Sequence, residues 1–158
     1  MLKKLLNTKM LKNEKGLTLI ELLAVIVILA IIAAIAIPAI GNIIENSRYN
    51  AAKADAINVL NAANLYFTDE GSADGATVTV TELKDDGYLD NAGLFEKDTD
   101  AQVVQTDGGN QLTGAVTYSG SKVATFNGAT VVSINADDQK GSGTPTEITA
   151  TVSGAITE

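Results

Sequence analysis

Glu21 is the one charge in an apolar run from Leu17 to Ile44, LTLIELLAVIVILAIIAAIAIPAIGNII. A carboxylate in a membrane helix costs about 2.5 to 3.5 kcal/mol at the centre and less toward an end, so it calls for a partner. Gly16 stands directly before the run. A cut after Gly16 would free an α-amino group on Leu17, and that ammonium could meet Glu21 of a neighbouring helix staggered along the same axis. In a low dielectric such a pair favours one register. The plainer alternative leaves Glu21 at the level of the lipid headgroups with no partner.

The element that must carry these groups is a membrane helix. The run from Leu17 to Ile44 exceeds the ~20 apolar residues that cross a bilayer, and it is apolar all round. Its many Ile and Val residues lower helicity in water, but in lipid a helix is how the backbone satisfies its polar groups. Residues 1–16 are a short polar leader with five lysines (Lys3, Lys4, Lys9, Lys12 and Lys15) against one acid, Glu14. Those lysines should stay in the cytoplasm, which places everything after residue 44 outside. An ordinary secretory signal has its cleavage site beyond the apolar core, and Ala34-Ile35-Ala36 offers such a site, which would release a soluble domain. A plain single-span anchor is a further alternative. Neither explains why Gly16 precedes the core and Glu21 follows five residues later.

Helical spacing continues past the membrane run. Tyr49, Ala52, Ala56, Leu60, Ala63 and Phe67 recur at intervals of three and four, which predicts an amphipathic continuation to about Phe67. Two helices broken at Pro38 and Gly41 compete with one long helix, and since Pro38 removes a hydrogen bond and crowds the carbonyl of Ala34, at least a kink is expected there.

The stretch KGLTLIELLAVIVILAIIAAIAIP, Lys15 to Pro38, strongly resembles the N-terminus of type IV pilins and of the pseudopilins of type II secretion and competence systems. The resemblance implies that prepilin peptidase cuts after Gly16 and methylates the amine of Leu17. It makes Glu21 the glutamate near the helix start and Pro38 the helix proline, both serving assembly. Ala30 stands where the family often has a second glycine, and Leu17 where it often has Phe. Implied partners are other pilin subunits in a homo-oligomeric filament, prepilin peptidase, the pilus assembly machinery, and the membrane before assembly. The implied localisation is the bacterial cytoplasmic membrane for the precursor and an extracellular pilus afterwards.

Composition narrows the remainder. After residue 16 there are six basic and eighteen acidic residues, and the chain has no cysteine and no histidine. An acidic domain repels phosphates, so direct nucleic-acid binding is not expected. No disulfide or zinc cluster can form, the commonest general base is missing, and no compact catalytic motif is visible, so neither an enzyme nor a cofactor is expected. Without a disulfide the last loops must rely on sheet packing. Asp98, Asp100, Asp137 and Asp138 have the chemistry of calcium ligands, but their pattern lacks the regularity of a calcium loop and reads as solvated acids, with no metal site.

Beyond Phe67, Thr81–Leu89 predicts a short capped helix ended at Gly87, with Leu83, Tyr88 and Leu89 facing a core. Leu112–Ser119 and the region from Ile148 through Val152 and Ser153 alternate like strands. KVATF and ATVVSI flank Asn127-Gly128, which predicts a hairpin turn there. Asp137–Pro145 predicts a loop. The expected fold is α+β: a long N-terminal helix packed on a small, mainly antiparallel sheet. Its parts are a leader (1–16), the hydrophobic half of the helix (17–44), an amphipathic half (45–67) and a β-rich head (68–158).

Overall fold

A computed structural model describes residues 18–98, 100–145 and 147–150. The expected strand positions Val152 and Ser153 lie outside the described residues. The first helix, α1 (Leu19–Asp69), is 51 residues long and includes Pro38. It is one helix, not two broken at Pro38 and Gly41. Proline's fixed φ is itself helical, so Pro38 forfeits a hydrogen bond without forcing the chain out of the helix. The chain divides into two compact units, residues 1–40 and 41–158.

In the first unit the large apolar side chains of α1 are exposed, Ile35 and Ile37 each at 70%. By length and composition α1 can cross a membrane.

The second unit is the head. Its part of α1 buries Tyr49, Ala52, Ala56, Val59, Leu60, Ala62, Ala63 and Phe67, so the expected stripe is the core face, widened by Val59 and Ala62. Alanine at four of these eight positions keeps the helix slim where it meets the sheet. The strands are β1 (Thr77–Thr79), β2 (Gln102–Val104), β3 (Gln111–Ser119), β4 (Lys122–Ala129) and β5 (Ile148–Thr149). They lie in the order β1-β2-β3-β4-β5, antiparallel throughout except for the parallel pair β4/β5. Period-two alternation sends Leu112, Val116 and Tyr118 of β3 and Ala124 and Phe126 of β4 inward. The architecture is α+β.

The short helix α2 spans Val80–Asp85. It starts earlier than the sequence suggests because Thr79 and Glu82 form a capping box: the Glu82 N–H donates to the Thr79 hydroxyl at 3.2 Å and the Thr79 N–H to the Glu82 carboxylate at 2.8 Å. It closes in a Schellman pattern, Gly87 N–H to the Lys84 carbonyl and Tyr88 N–H to the Leu83 carbonyl. Leu83 is fully buried, while Tyr88 and Leu89 are partly buried against the core. A 3-10 helix, Gly93–Lys97, then seats Phe95 against Phe126 with ring centroids 5.6 Å apart.

The hairpin is not where Asn127-Gly128 placed it. β3 and β4 turn at Gly120-Ser121, and Gly120 alone of these two has positive φ, as a type II′ turn requires at its first position. Asn127-Gly128 sits inside β4. Between the pairs Leu112↔Ala129 and Gly114↔Phe126, β4 carries one residue more than β3, and Gly128 takes φ +65°. The left-handed preference of the dipeptide is met in a bulge, with the Gly128 N–H donating to the Thr113 hydroxyl at 3.2 Å. ATVVSI is not a return strand either. Thr130 caps a helix, α3 (Val131–Ala136), through a box with Ser133, so a local hydroxyl cap overrides the β preference of the two valines.

Candidate functional site

The start of α1 carries the chemistry singled out from the sequence. Thr18 is the N-cap: its carbonyl accepts the first intrahelical bond from the Leu22 N–H at 3.1 Å, and its hydroxyl accepts from the Glu21 N–H at 3.3 Å. Glu21 answers through Oε2, accepting from the Thr18 N–H at 2.8 Å and from the Thr18 hydroxyl at 2.9 Å. This reciprocal arrangement is a capping box, T-x-x-E, opening an apolar run. The T-x-x-E spacing from Thr18 to Glu21 is legible in the sequence itself. In lipid the box matters more than in water, since orphan N–H groups of a first turn find no solvent acceptor there. An acid at N3 also complements the positive end of the helix dipole.

Thus Glu21 already has a hydrogen-bond partner in its own chain. A carboxylate has roughly four acceptor sites on two oxygens. Both observed bonds from Thr18 use Oε2. Capping is therefore compatible with accepting an ammonium as well, and it fixes the direction in which the carboxylate points.

Gly16 and Leu17 lie outside the described residues. Pro38 lies within α1. At ~1.5 Å per residue it stands about 25 Å along the helix from Glu21, so the two form no common site.

Two of the four aspartates considered as calcium ligands, Asp98 and Asp137, serve the fold, and Asp100 and Asp138 are exposed. Asp98 accepts the Ala115 N–H at 2.7 Å and the Asp100 N–H at 3.3 Å, covering the edge of β3 beyond its pairing with β2. Asp137 accepts the Tyr49 hydroxyl at 3.0 Å, the Lys53 ammonium at 3.1 Å and the Gln139 amide at 2.6 Å. Burial raises the Asp137 pKa, but these donors outweigh it and the net shift is downward. Among the described residues no group of three or more acidic, His or Cys side chains is placed to hold a metal.

Residues 11–37 match the family model of the prokaryotic N-terminal methylation motif. Together with the long apolar helix and the small sheet, the motif fits type IV pilin-like proteins. No curated protein and no solved structure matches the chain. The motif covers Gly16, Leu17, Thr18 and Glu21 in one stretch, the same stretch in which the capping box forms. In a pilin-like chain it implies processing by prepilin peptidase and assembly into pilus-like filaments, a structural role rather than an enzymatic one.

Proposed function

We propose that this chain is a structural subunit, and specifically a major subunit, of a type IV pilus. Leader removal after Gly16 and methylation of the Leu17 amine produce the mature form. The apolar half of the helix, residues 17–44, holds the subunit in the membrane with its head outside and then packs against the same half of other copies in the filament. Glu21 pairs with the Leu17 ammonium of a neighbour, and Pro38 supplies local give in the packed helix. The acidic head, residues 68–158, faces outward from the filament.

The observation that carries this reading is the methylation motif lying on an exposed apolar helix whose first turn is closed by Glu21. Burying large apolar side chains contributes roughly 25 cal/mol per Å² removed from water, which supplies the cohesion of a helical filament core. In the bilayer that drive is absent, so extraction requires work from an assembly motor. Complete helix, glutamate and moderate head size favour a major subunit over a minor pilin or a pseudopilin.

The test is imaging of cell surfaces with an antibody to the head, in cells with and without this protein. Labelled filaments along their whole length, lost with the protein, are the expected result. Label confined to tips or to the membrane would assign it to the minor pilins or pseudopilins instead.

A further inference from the structure

The segment after α3 is a loop, as expected for Asp137–Pro145, but it is tied down at several points. Asp137 takes the bonds from Tyr49 and Lys53 on α1 described above, and its carbonyl accepts a further bond from Lys53. Four residues on, the Gly141 carbonyl accepts from the Tyr118 hydroxyl at 2.9 Å and from the Lys122 ammonium at 3.1 Å. The Ser142 carbonyl accepts from Lys122 at 2.6 Å, while the Ser142 N–H donates to the Asn46 side chain at 2.9 Å. Lys122 also pairs with Glu45 at 2.7 Å. Gly141 is buried, and a Cβ built there would stand 2.4 Å from the Cβ of Tyr49 and 2.6 Å from the carbonyl oxygen of Glu45.

These contacts share one layout. The α1 partners described lie between Glu45 and Lys53, and the sheet partners described are Tyr118 and Lys122, on either side of the β3–β4 turn. The segment itself adds little apolar burial: between Asp137 and Ala150 the described buried hydrophobic residue is Ile148, in a strand of two residues. Polar latches with few buried apolar contacts are the composition of a unit that opens locally, below the free energy of global unfolding.

We propose that Asp137–Gly143 is a clasp that fastens residues 45–53 of α1 to the β3–β4 hairpin and opens as a unit while the sheet stays folded. In a chain without cysteine, it secures the last part of the head by ion pairs and backbone carbonyls where a covalent link is impossible. It is reversible for the same reason. Opening frees Asn46, Lys53 and the Tyr49 hydroxyl together, while the direct contacts of this stretch of helix with the hairpin, Glu45–Lys122, Arg48–Ser119 and the Tyr49–Tyr118 ring pair, stay in place.

Lys140, exposed in the middle of the clasp, supplies a trypsin site that reports its state. The experiment uses the full chain in detergent and follows cleavage after Lys140 by mass spectrometry, with amide exchange over residues 112–126 measured in parallel. Lys53→Met and Asp137→Asn should each speed the cut by about tenfold or more, the scale of a lost charge-assisted hydrogen bond, with exchange in the sheet unchanged. Gly141→Ala should do the same with every charge in place. Unchanged cleavage in both charge variants would overturn the clasp, and so would sheet exchange rising in step with the cut.

Discussion

Between Leu19 and Ile40 the large apolar side chains of α1 are exposed, whereas from Tyr49 onward the apolar stripe of the same helix is buried under the sheet. One element therefore meets two solvents. Its first part satisfies its backbone internally and leaves its side chains for lipid or for other helices, while its second part is covered by its own chain. Among the described residues the second unit buries a core of its own, and the first unit buries no side chain. Stability and assembly should accordingly separate by region, and substitutions can test how cleanly.

The largest effect belongs to the head core. Leu112 is fully buried, so Leu112→Ala should cost about 2–5 kcal/mol of head stability. Ile32→Ala, in the exposed half, should leave head unfolding unchanged. All four tyrosines lie in the second unit, residues 41–158, and the chain has no tryptophan, so tyrosine emission during urea unfolding in detergent reports on that unit alone. A loss of head stability from Ile32→Ala would break the separation.

Glu21→Gln acts on the other side of the division. It removes the only charge of the span, so insertion should be normal or easier, and leader removal should persist. Filaments should be scarce, with mature subunits held in the membrane, because the neighbouring ammonium loses its counter-charge. Thr18→Val sharpens this by deleting the cap hydroxyl while keeping the carboxylate. The loss is about 0.5–2 kcal/mol at the first turn, so filament numbers should fall between those of Glu21→Gln and the unaltered protein. Filament counts by electron microscopy decide both, and a Thr18→Val count below that of Glu21→Gln would show that capping outweighs pairing.

In the head, acid should act through Asp137. The folded Asp137 carboxyl titrates below its ordinary value of 3.8, so its contribution is fully present above that value and is lost as pH falls through the lower folded one. Cleavage after Lys140, by an acid-tolerant protease able to cut there, should therefore rise as pH drops below about 4 before the sheet amides exchange. The smallest effect concerns Tyr88, whose hydroxyl donates to Asp69 at 2.6 Å and whose pKa is pushed up to about 12, first by that bond and then by burial. Asp69→Asn should bring its ionisation back toward the ordinary value of 10, read by ultraviolet absorbance against alkaline pH.

The sequence was most legible where one period ran undisturbed. Tyr49 to Phe67 repeat at helical spacing and are the buried face; Leu112, Val116 and Tyr118 alternate and point inward. Legibility failed where local hydrogen bonding competes with side-chain preference. Thr130 and Ser133 turn two valines into a helix, and Gly128 spends its left-handed conformation on a bulge. β1 and β2 have three residues each, too short for any alternation to register. At the candidate site, Glu21 and Pro38 stand out by type, whereas Thr18 is an ordinary polar residue whose capping role shows only in its three-residue spacing to Glu21. The clasp could not be read at all, since Glu45, Tyr49 and Lys53 meet Asp137, Gly141 and Ser142 only through the fold.

The most direct measurement is the intact mass of the subunit in filaments sheared from the cell surface. The account requires a chain that begins at Leu17 and carries one methyl group on its amine. A chain beginning at Met1 or Asn13 would contradict processing at Gly16, and one beginning at Ile37 would show cleavage after Ala36, with the apolar helix discarded instead of built into the filament.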